Sequence, residues 1–285
     1  MAAHGTASVV RYSVAVARLS ANFCRVSAMS ADPSHHYLAY DQLPQPVVAM
    51  ESRWRHGMST GWHSHPRGQL LYATEGVMVI HTDAGSWVIP PNRALWMVTG
   101  LRHCVTMSGD VVMRTAYINV DQVPAMPAQS CAINVSPLLR ELLVEAVRIA
   151  PGAALSARHA RVLELLIDEI QVSPTLPLHL PLPQDKRLHH ICTALIAHPA
   201  DAASATQWAA SIQVAERTLH RLFAQETGMT FAQWREQALL LHALRRIAGG
   251  DKVIDIALDC GYASPSAFTA MFRRHFGVTP SGFYR

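Results

Sequence analysis

The C-terminal part of this chain carries one pattern twice, a short amphipathic helix, a tight turn and a second helix rich in Arg, His, Ser or Thr. The first copy runs Gln207 to Val214 and then Ala215 to Phe223; the second runs Asp255 to Ala263 and then Ser264 to Arg274. In each, an apolar pair four residues apart, Leu219 with Phe223 and Phe268 with Phe272, marks the buried stripe of the second helix. Ser264 is placed as an N-cap and Pro265 suits the first helical position. Two such units in tandem are most simply built to lie along DNA.

The stripe opposite the apolar pair is free to face the major groove, where residues near the helix N-terminus reach base edges. That nominates Arg217, His220 and Arg221 in copy one. Copy two offers Ser266, Thr269 and Ala270, a chemically weaker set, with Arg273 and Arg274 placed for phosphate. Copy one is expected to specify sequence and copy two mainly to anchor. Between them, Thr230 and Gln233 have capping-box spacing, and Trp234, Ala238, Leu241 and Leu244 recur at helical intervals up to Gly249-Gly250. One helix therefore joins the readers, which a stiff connection would set in successive major-groove segments about 34 Å apart.

Through the second copy and its tail the chain resembles the AraC/XylS family of bacterial transcription regulators. The matching residues are Ile256-Ala257, Gly261-Tyr262, Ser264-Pro265-Ser266, Phe268, Phe272-Arg273, Gly277, Thr279-Pro280 and Tyr284-Arg285. The resemblance covers residues 184 to 285 and implies double-stranded promoter DNA as the partner, with RNA polymerase as a further one. Ala215 departs from it, standing where the family usually has a serine cap; such a loss costs about 1 kcal/mol. This region holds 11 Lys and Arg against 8 Asp and Glu. The excess is mild for a DNA binder, so affinity must rest on a few placed arginines and helix N-termini.

Ahead of this lies room for a second domain, since 285 residues at 50% hydrophobic composition support two cores. Cys24, Cys104, Cys131, Cys192 and Cys260 lie far apart with no metal or redox spacing, as reduced cytosolic thiols do. No apolar run approaches the roughly 18 residues of a membrane helix, so a cytoplasmic protein without membrane contact is expected. Residues 1–35 are expected to be a disordered extension, with Arg11, Arg18 and Arg25 among Ala, Val and Ser, and Met29 the candidate start.

Residues 36–125 switch to short apolar runs broken by turn signals such as Asp83-Ala84-Gly85 and Ser108-Gly109-Asp110, which predicts an antiparallel barrel or sandwich. His63 and His65, two apart, fall on one face of an extended strand. Gly57, His63, His65, Gln69 and Gly76 resemble the first motif of the cupin superfamily, and Gly100 with His103 part of its second. The resemblance implies a small jelly-roll sensor for a small-molecule effector. Metal-binding cupins carry three histidines and usually a glutamate at the matching positions, whereas this chain has His63, His65, His103 and Gln69. Val98 and Met107 also stand where a proline and an asparagine are usual. No cofactor is required by this reading, and neutral His₃Gln ligation suits Zn, Ni, Co or Fe; the same histidines also fit hydrogen bonding to one another, to Gln69 or to an effector. Trp62, Trp87, Trp96, Met78, Met97 and Met113 come from these strands and supply core, with some facing a ligand.

Within residues 126–172, Ser136-Pro137 opens one leucine-striped helix and Ala157 begins another. Such a pair either packs back on the barrel or forms an antiparallel dimer seam, and the family resemblance favours homodimerisation. The proline-rich segment 173–184 reads as a semi-rigid linker to the DNA-binding domain, 185–285. The whole is expected to be a multidomain α and β protein, a cupin-like β-barrel followed by an all-α tandem helix-turn-helix domain, acting as activator or repressor. The competing expectation is a metal-dependent cupin enzyme, a dioxygenase or isomerase, with a DNA-binding appendage. An architectural DNA binder without a sensor is the third.

Overall fold

The computed structural model describes residues 40, 42–123 and 125–283. The expected extension, residues 1–35 with Met29, and the closing Tyr284-Arg285 lie outside the described residues. Five strands come first: β1 (Val47–Trp54), β2 (Gly68–Thr82), β3 (Gly85–Ile89), β4 (Arg93–Met97) and β5 (His103–Ile118). Long β2 pairs with β5 along its whole length, while its other edge pairs with β4 in the first half and β3 in the second. The change of partner follows a bulge between Ala73 and Val77. Gly76 makes it possible: its φ is 72°, and a Cβ there would come within 2.4 Å of the Asp110 carbonyl oxygen.

The pleat sorts this antiparallel, cupin-like sheet into two faces. Leu71, Leu95 and Thr115 are cross-strand partners on the inner face, with Met97 and Tyr117 opposite Gln69. Leu70, Tyr72, Ala94, Trp96, Ala116 and Ile118 face outward and are buried under two helices, α1 (Pro137–Arg148) and α2 (Ala157–Val172). Ser136 and Ser156 cap these helices by accepting from Leu139 and His159 backbone N–H groups. Of the two expectations for the leucine stripe, packing back on the barrel is what its side chains do: Leu139, Leu143 and Leu166 are fully buried against the sheet. Leu138 and Leu165 remain exposed on the outer side.

Strands continue past residue 125, where sequence alone placed only helix and linker. β6 (Cys131–Asn134) pairs with β4, β7 (Thr175–Leu176) with β6, and β8 (His179–Pro181) with β3. The proline-rich segment is therefore extended, as read, and also stitched to the sheet. Proline cannot donate a ladder bond and is confined to edges, while Leu178 and Leu180, buried between the prolines, supply the apolar contact that holds them there.

Six α-helices follow, α3 (Lys186–Ala197), α4 (Ala205–Ser211), α5 (Glu216–Thr227), α6 (Phe231–Ala248), α7 (Val253–Asp259) and α8 (Pro265–Phe276), and a 3-10 turn at Pro280–Gly282 closes the described residues. α6 is the joining helix, and it also closes the sensor. The Trp234 indole N–H donates to the Pro181 carbonyl, and the Gln237 amide donates to the carbonyls of Pro177 and His179. One hydrophobic cluster runs from Val79, Val88 and Leu180 into Trp234, Leu241 and Leu244. Elsewhere, the Arg93 guanidinium lies 5.4 Å from the Phe283 ring centroid. No helix among the described residues is long and apolar enough to cross a membrane.

Candidate nucleic-acid interface and sensor pocket

The first helix-turn-helix is α4 and α5, the second α7 and α8. Ser204 and Gln207 form a full capping box at the start of α4. Ala215 stands at the N-cap of α5 and supplies no side-chain cap, as the departure at that position predicts. Glu216 partly compensates, since acidic charge favours a helix N-terminus; it accepts from Thr206 Oγ1 at 2.6 Å and lies 3.4 Å from His220 Nε2. Those two contacts, Thr206 first, lower its pKa. Ser264 caps α8 by accepting from the Ala267 N–H, and Gly277 ends it in the left-handed conformation.

Leu219, Phe223, Phe268 and Phe272 are each fully buried, so the stripe assigned to core in both copies is core. The nominated residues on the opposite side are exposed or half-buried. Arg217 is exposed and has no ion pair among the described residues. Arg221 donates to Gln225 at 2.8 Å, and His220 is held beside Glu216. Ser266, Thr269, Ala270 and Arg273 line one open groove with Pro265 and Thr279. Arg274, nominated with Arg273, is directed elsewhere: it is ion-paired with Glu236 of α6.

In the sensor, His63 and His103 form an isolated antiparallel bridge, with reciprocal backbone bonds of 2.9 and 2.8 Å. Their ring centroids are 4.3 Å apart, and His65 lies 4.9 Å from His63 and 5.5 Å from His103. One ring nitrogen from each of the three falls within 4.8 Å of the others. His63 Nδ1 is 2.9 Å from the Gly61 carbonyl oxygen and His103 Nδ1 is 2.8 Å from that of Leu101. A carbonyl can only accept, so both imidazoles carry their proton on Nδ1 and leave Nε2 as the lone-pair nitrogen, which in His103 is buried. Metal-ligating histidines are commonly oriented this way.

Burial keeps these rings neutral. It lowers the His65 pKa to about 3, with charge repulsion from His63 and His103 adding to it, and the His103 pKa to about 4. His103 Nε2 and Gln69 Oε1 are buried without a hydrogen-bond partner. Both residues line, with His63, a cavity of about 30 Å³ whose wall includes Thr60, Thr115, Met113 and Tyr117. That volume admits an ion or one or two waters; drug-sized ligands need roughly 300 Å³ or more. Buried acceptors facing a small space satisfy a cation or a proton donor.

Of the aromatic and methionine candidates, only Met113 lines the cavity. Trp62 is 39% exposed and stacks with Arg102 on the outside, its ring centroid 4.5 Å from the guanidinium carbon. Trp96 faces α1 and α2 and donates to the Pro127 carbonyl, while Trp87 stacks on His179. The cavity's own aromatics, Trp54 and Tyr117, went unread. Tyr117 pairs across the ladder with Gln69, so a strand register would have found it.

Comparison with known proteins gives two family matches, to the AraC-like ligand binding domain over residues 47–173 and to a helix-turn-helix domain over residues 208–285. The HTH-type transcriptional regulator NimR of Escherichia coli is 31% identical over 221 residues, 78% of this chain and 81% of its own length. The regulator RipA of Corynebacterium glutamicum is 35% identical over 103 residues, 36% of this chain and 31% of its own. A crystal structure of ToxT from Vibrio cholerae aligns over 84% of this chain and 98% of its own, at 10% identity and a TM-score of 0.35.

Proposed function

The chain belongs to the AraC family of transcription regulators, with a ligand-binding domain and a helix-turn-helix DNA-binding domain, and from that premise we propose that its effector is a divalent transition-metal ion held by His63, His65 and His103 with Gln69. The observation that carries this is the gathering of one ring nitrogen from each of the three histidines within 4.8 Å of the others, with Nδ1 of His63 and of His103 set against the Gly61 and Leu101 carbonyls. Three neutral imidazoles and an amide oxygen suit Zn, Ni, Co or Fe over Mg or Ca. The buried, unpartnered Gln69 Oε1 and His103 Nε2 fit the role. The bound ion would supply positive charge beside the buried acceptors Gln69 Oε1 and His103 Nε2.

DNA reading falls, on this proposal, to Arg217, His220 and Arg221 for base edges in copy one. Ser266, Thr269 and Ala270 make weaker base contacts in copy two, and Arg273 a phosphate contact. The exposure of Arg217 and the common groove of Ser266, Thr269, Ala270 and Arg273 support the assignment. Exposed Leu138 and Leu165 on α1 and α2 support a homodimer through the outer side of that helix pair. Exposed Ile254 and Leu258 on α7 give RNA polymerase an apolar surface. The setting is the cytoplasm, where promoter DNA is. The enzyme alternative recedes, because the similar proteins are regulators and the residues lining the cavity include no carboxylate to serve as a general base.

The test is calorimetric titration of chelator-treated full-length protein with Zn²⁺, Ni²⁺, Co²⁺ and Fe²⁺, followed by DNA binding with and without the ion that binds. Saturable binding at one site per chain, abolished by His65→Ala with His103→Ala, is expected, together with a changed DNA affinity. No saturable binding by any of the four ions, or binding indifferent to both substitutions, would sink the metal reading.

A further inference from the structure

Glu236 lies in the second turn of α6, facing the second reading helix. Its Oε1 accepts from Arg274 Nη2 and is 3.2 Å from His275 Nε2. Tyr262, in the turn between α7 and α8, shares the cluster: burial first, then Glu236, push its phenol pKa up, and Arg274 opposes them. The joining helix, the turn and the reading helix thus meet around one carboxylate. At the other end of α6, Arg246 pairs with Asp251 and is 2.5 Å from Asp259, the last residue of α7. Copy two is therefore braced to α6 by ion pairs at both ends. Copy one is held to it by rings instead, Phe223 against Phe231 at 5.0 Å and Trp234 at 6.1 Å.

A side chain kept for phosphate has no use for a neighbouring carboxylate, which neutralises it and repels the DNA backbone. Arg273, which lines the open groove with Ser266, Thr269 and Ala270, carries no such partner among the described residues. The two adjacent arginines therefore have different work. We propose that Glu236, with Arg274 and His275, is a positioning strut that fixes α8 on α6, and so sets which spacing and rotational phase of two DNA segments the protein accepts. Arg274 acts on specificity through geometry, with no phosphate contact of its own. The inference rests on both helix-turn-helix units engaging DNA.

The experiment uses full-length protein and a duplex selected from a random pool, compared with the same duplex carrying one inserted base pair between the two recognised segments, or the copy-two segment scrambled. One base pair turns the second segment by about 35°. Wild type should lose about tenfold or more on insertion. Glu236→Gln and Arg274→Ala should each lower affinity for the matched duplex about fivefold, the size an exposed ion pair supports, and lose no more than about twofold further on insertion. The double variant should be no weaker than either single one, and the salt dependence should keep its slope. Removing a negative charge beside DNA would otherwise strengthen binding, so the sign for Glu236→Gln decides. Tighter binding by Glu236→Gln, or a slope reduced by about one counterion in Arg274→Ala, overturns the strut alone. Indifference of wild type to the scrambled segment overturns it together with the two-reader premise. Melting curves matching wild type confirm that the variants are folded.

Discussion

The indole N–H of Trp234, on the helix that joins the two DNA readers, donates to the carbonyl of Pro181 at 2.6 Å. Pro181 in turn sits opposite Gly85 at the edge of the sensor sheet. This hydrogen bond, with those of Gln237 to Pro177 and His179, ties reader to sensor. Trp234→Phe keeps the ring and deletes the donor, leaving a carbonyl at a buried seam. The variant should lose about 1 kcal/mol of stability in urea and be cleaved faster within residues 173–184 by a dilute protease. Cleavage at the wild-type rate would mean the bond does not hold the domains together.

Arg217→Ala or Arg221→Ala should cost about 1 to 3 kcal/mol at the best site and relax base preference there. Arg273→Ala should weaken all sequences alike and flatten the salt dependence by about one counterion. Selection from random duplexes, run at two salt concentrations, separates the two behaviours. A sequence-selective loss in Arg273→Ala would reverse its assignment.

Gln69→Glu places a carboxylate among three neutral imidazoles. With a metal bound it should gain at least about tenfold in affinity, since the new ligand is charged and the cation pairs it. Without metal the same carboxylate is buried and unpaired, so the metal-free protein should melt lower. Equal affinities for Zn²⁺ in the two proteins would show that residue 69 lies outside the coordination sphere.

The two turns of the helix-turn-helix pair carry different residues at their left-handed position. Gln213 takes φ 58° in copy one where Gly261 takes φ 77° in copy two. A left-handed non-glycine residue carries a cost that glycine avoids. Gln213→Gly should stabilise by about 0.5–1 kcal/mol, and Gly261→Ala should destabilise by about 1 kcal/mol or more. The nearest atom to an added Cβ at 261 is Ala200 Cα at 3.6 Å, an ordinary contact, so the loss would come from backbone strain. Chemical denaturation of both variants measures it.

His81, His179 and His242 are each held at a pKa of about 4, chiefly by burial. Arg245 reinforces this for His81, and for His242 Arg245 and Arg246 outweigh Asp259 and Asp251. Unfolded, all three would titrate near 6.5. As pH falls, the unfolded chain takes up protons first, so stability is full above about pH 7 and declines between 6.5 and 4. Each histidine contributes about 1.4 kcal/mol per pH unit inside that window. His242→Gln should therefore lose less stability than wild type between pH 7 and pH 5, and parallel losses would contradict the assignment.

What could be read from sequence was what local chemistry decides. Ser264 caps α8, Thr230 and Gln233 close a capping box, and Ala215 leaves α5 uncapped, because a cap needs only residues three apart. All three histidines of the cluster were legible, His63 and His65 by alternation and His103 through the motif resemblance with Gly100; what the sequence did not show is the cross-strand bridge that brings His103 to His63. Trp62 was readable and was misjudged: one residue from His63, it belongs by the same alternation to the opposite face, where Arg102 covers it. The seam was out of reach. Gln237 looks like any polar residue on a helix until β8 is laid beside it, and β8 is three residues among prolines that no strand pattern marks.

The proline-rich segment uses both of its edges, its β8 residues pairing with β3 while the carbonyls of Pro177, His179 and Pro181 receive donors from α6. Anyone grafting this reader onto a foreign sensor by cutting at residue 184 would strip away those three acceptors and the leucines between them. The chimaera would leave the Trp234 indole N–H and the Gln237 amide without their acceptors, so the transplantable unit begins upstream of Pro177.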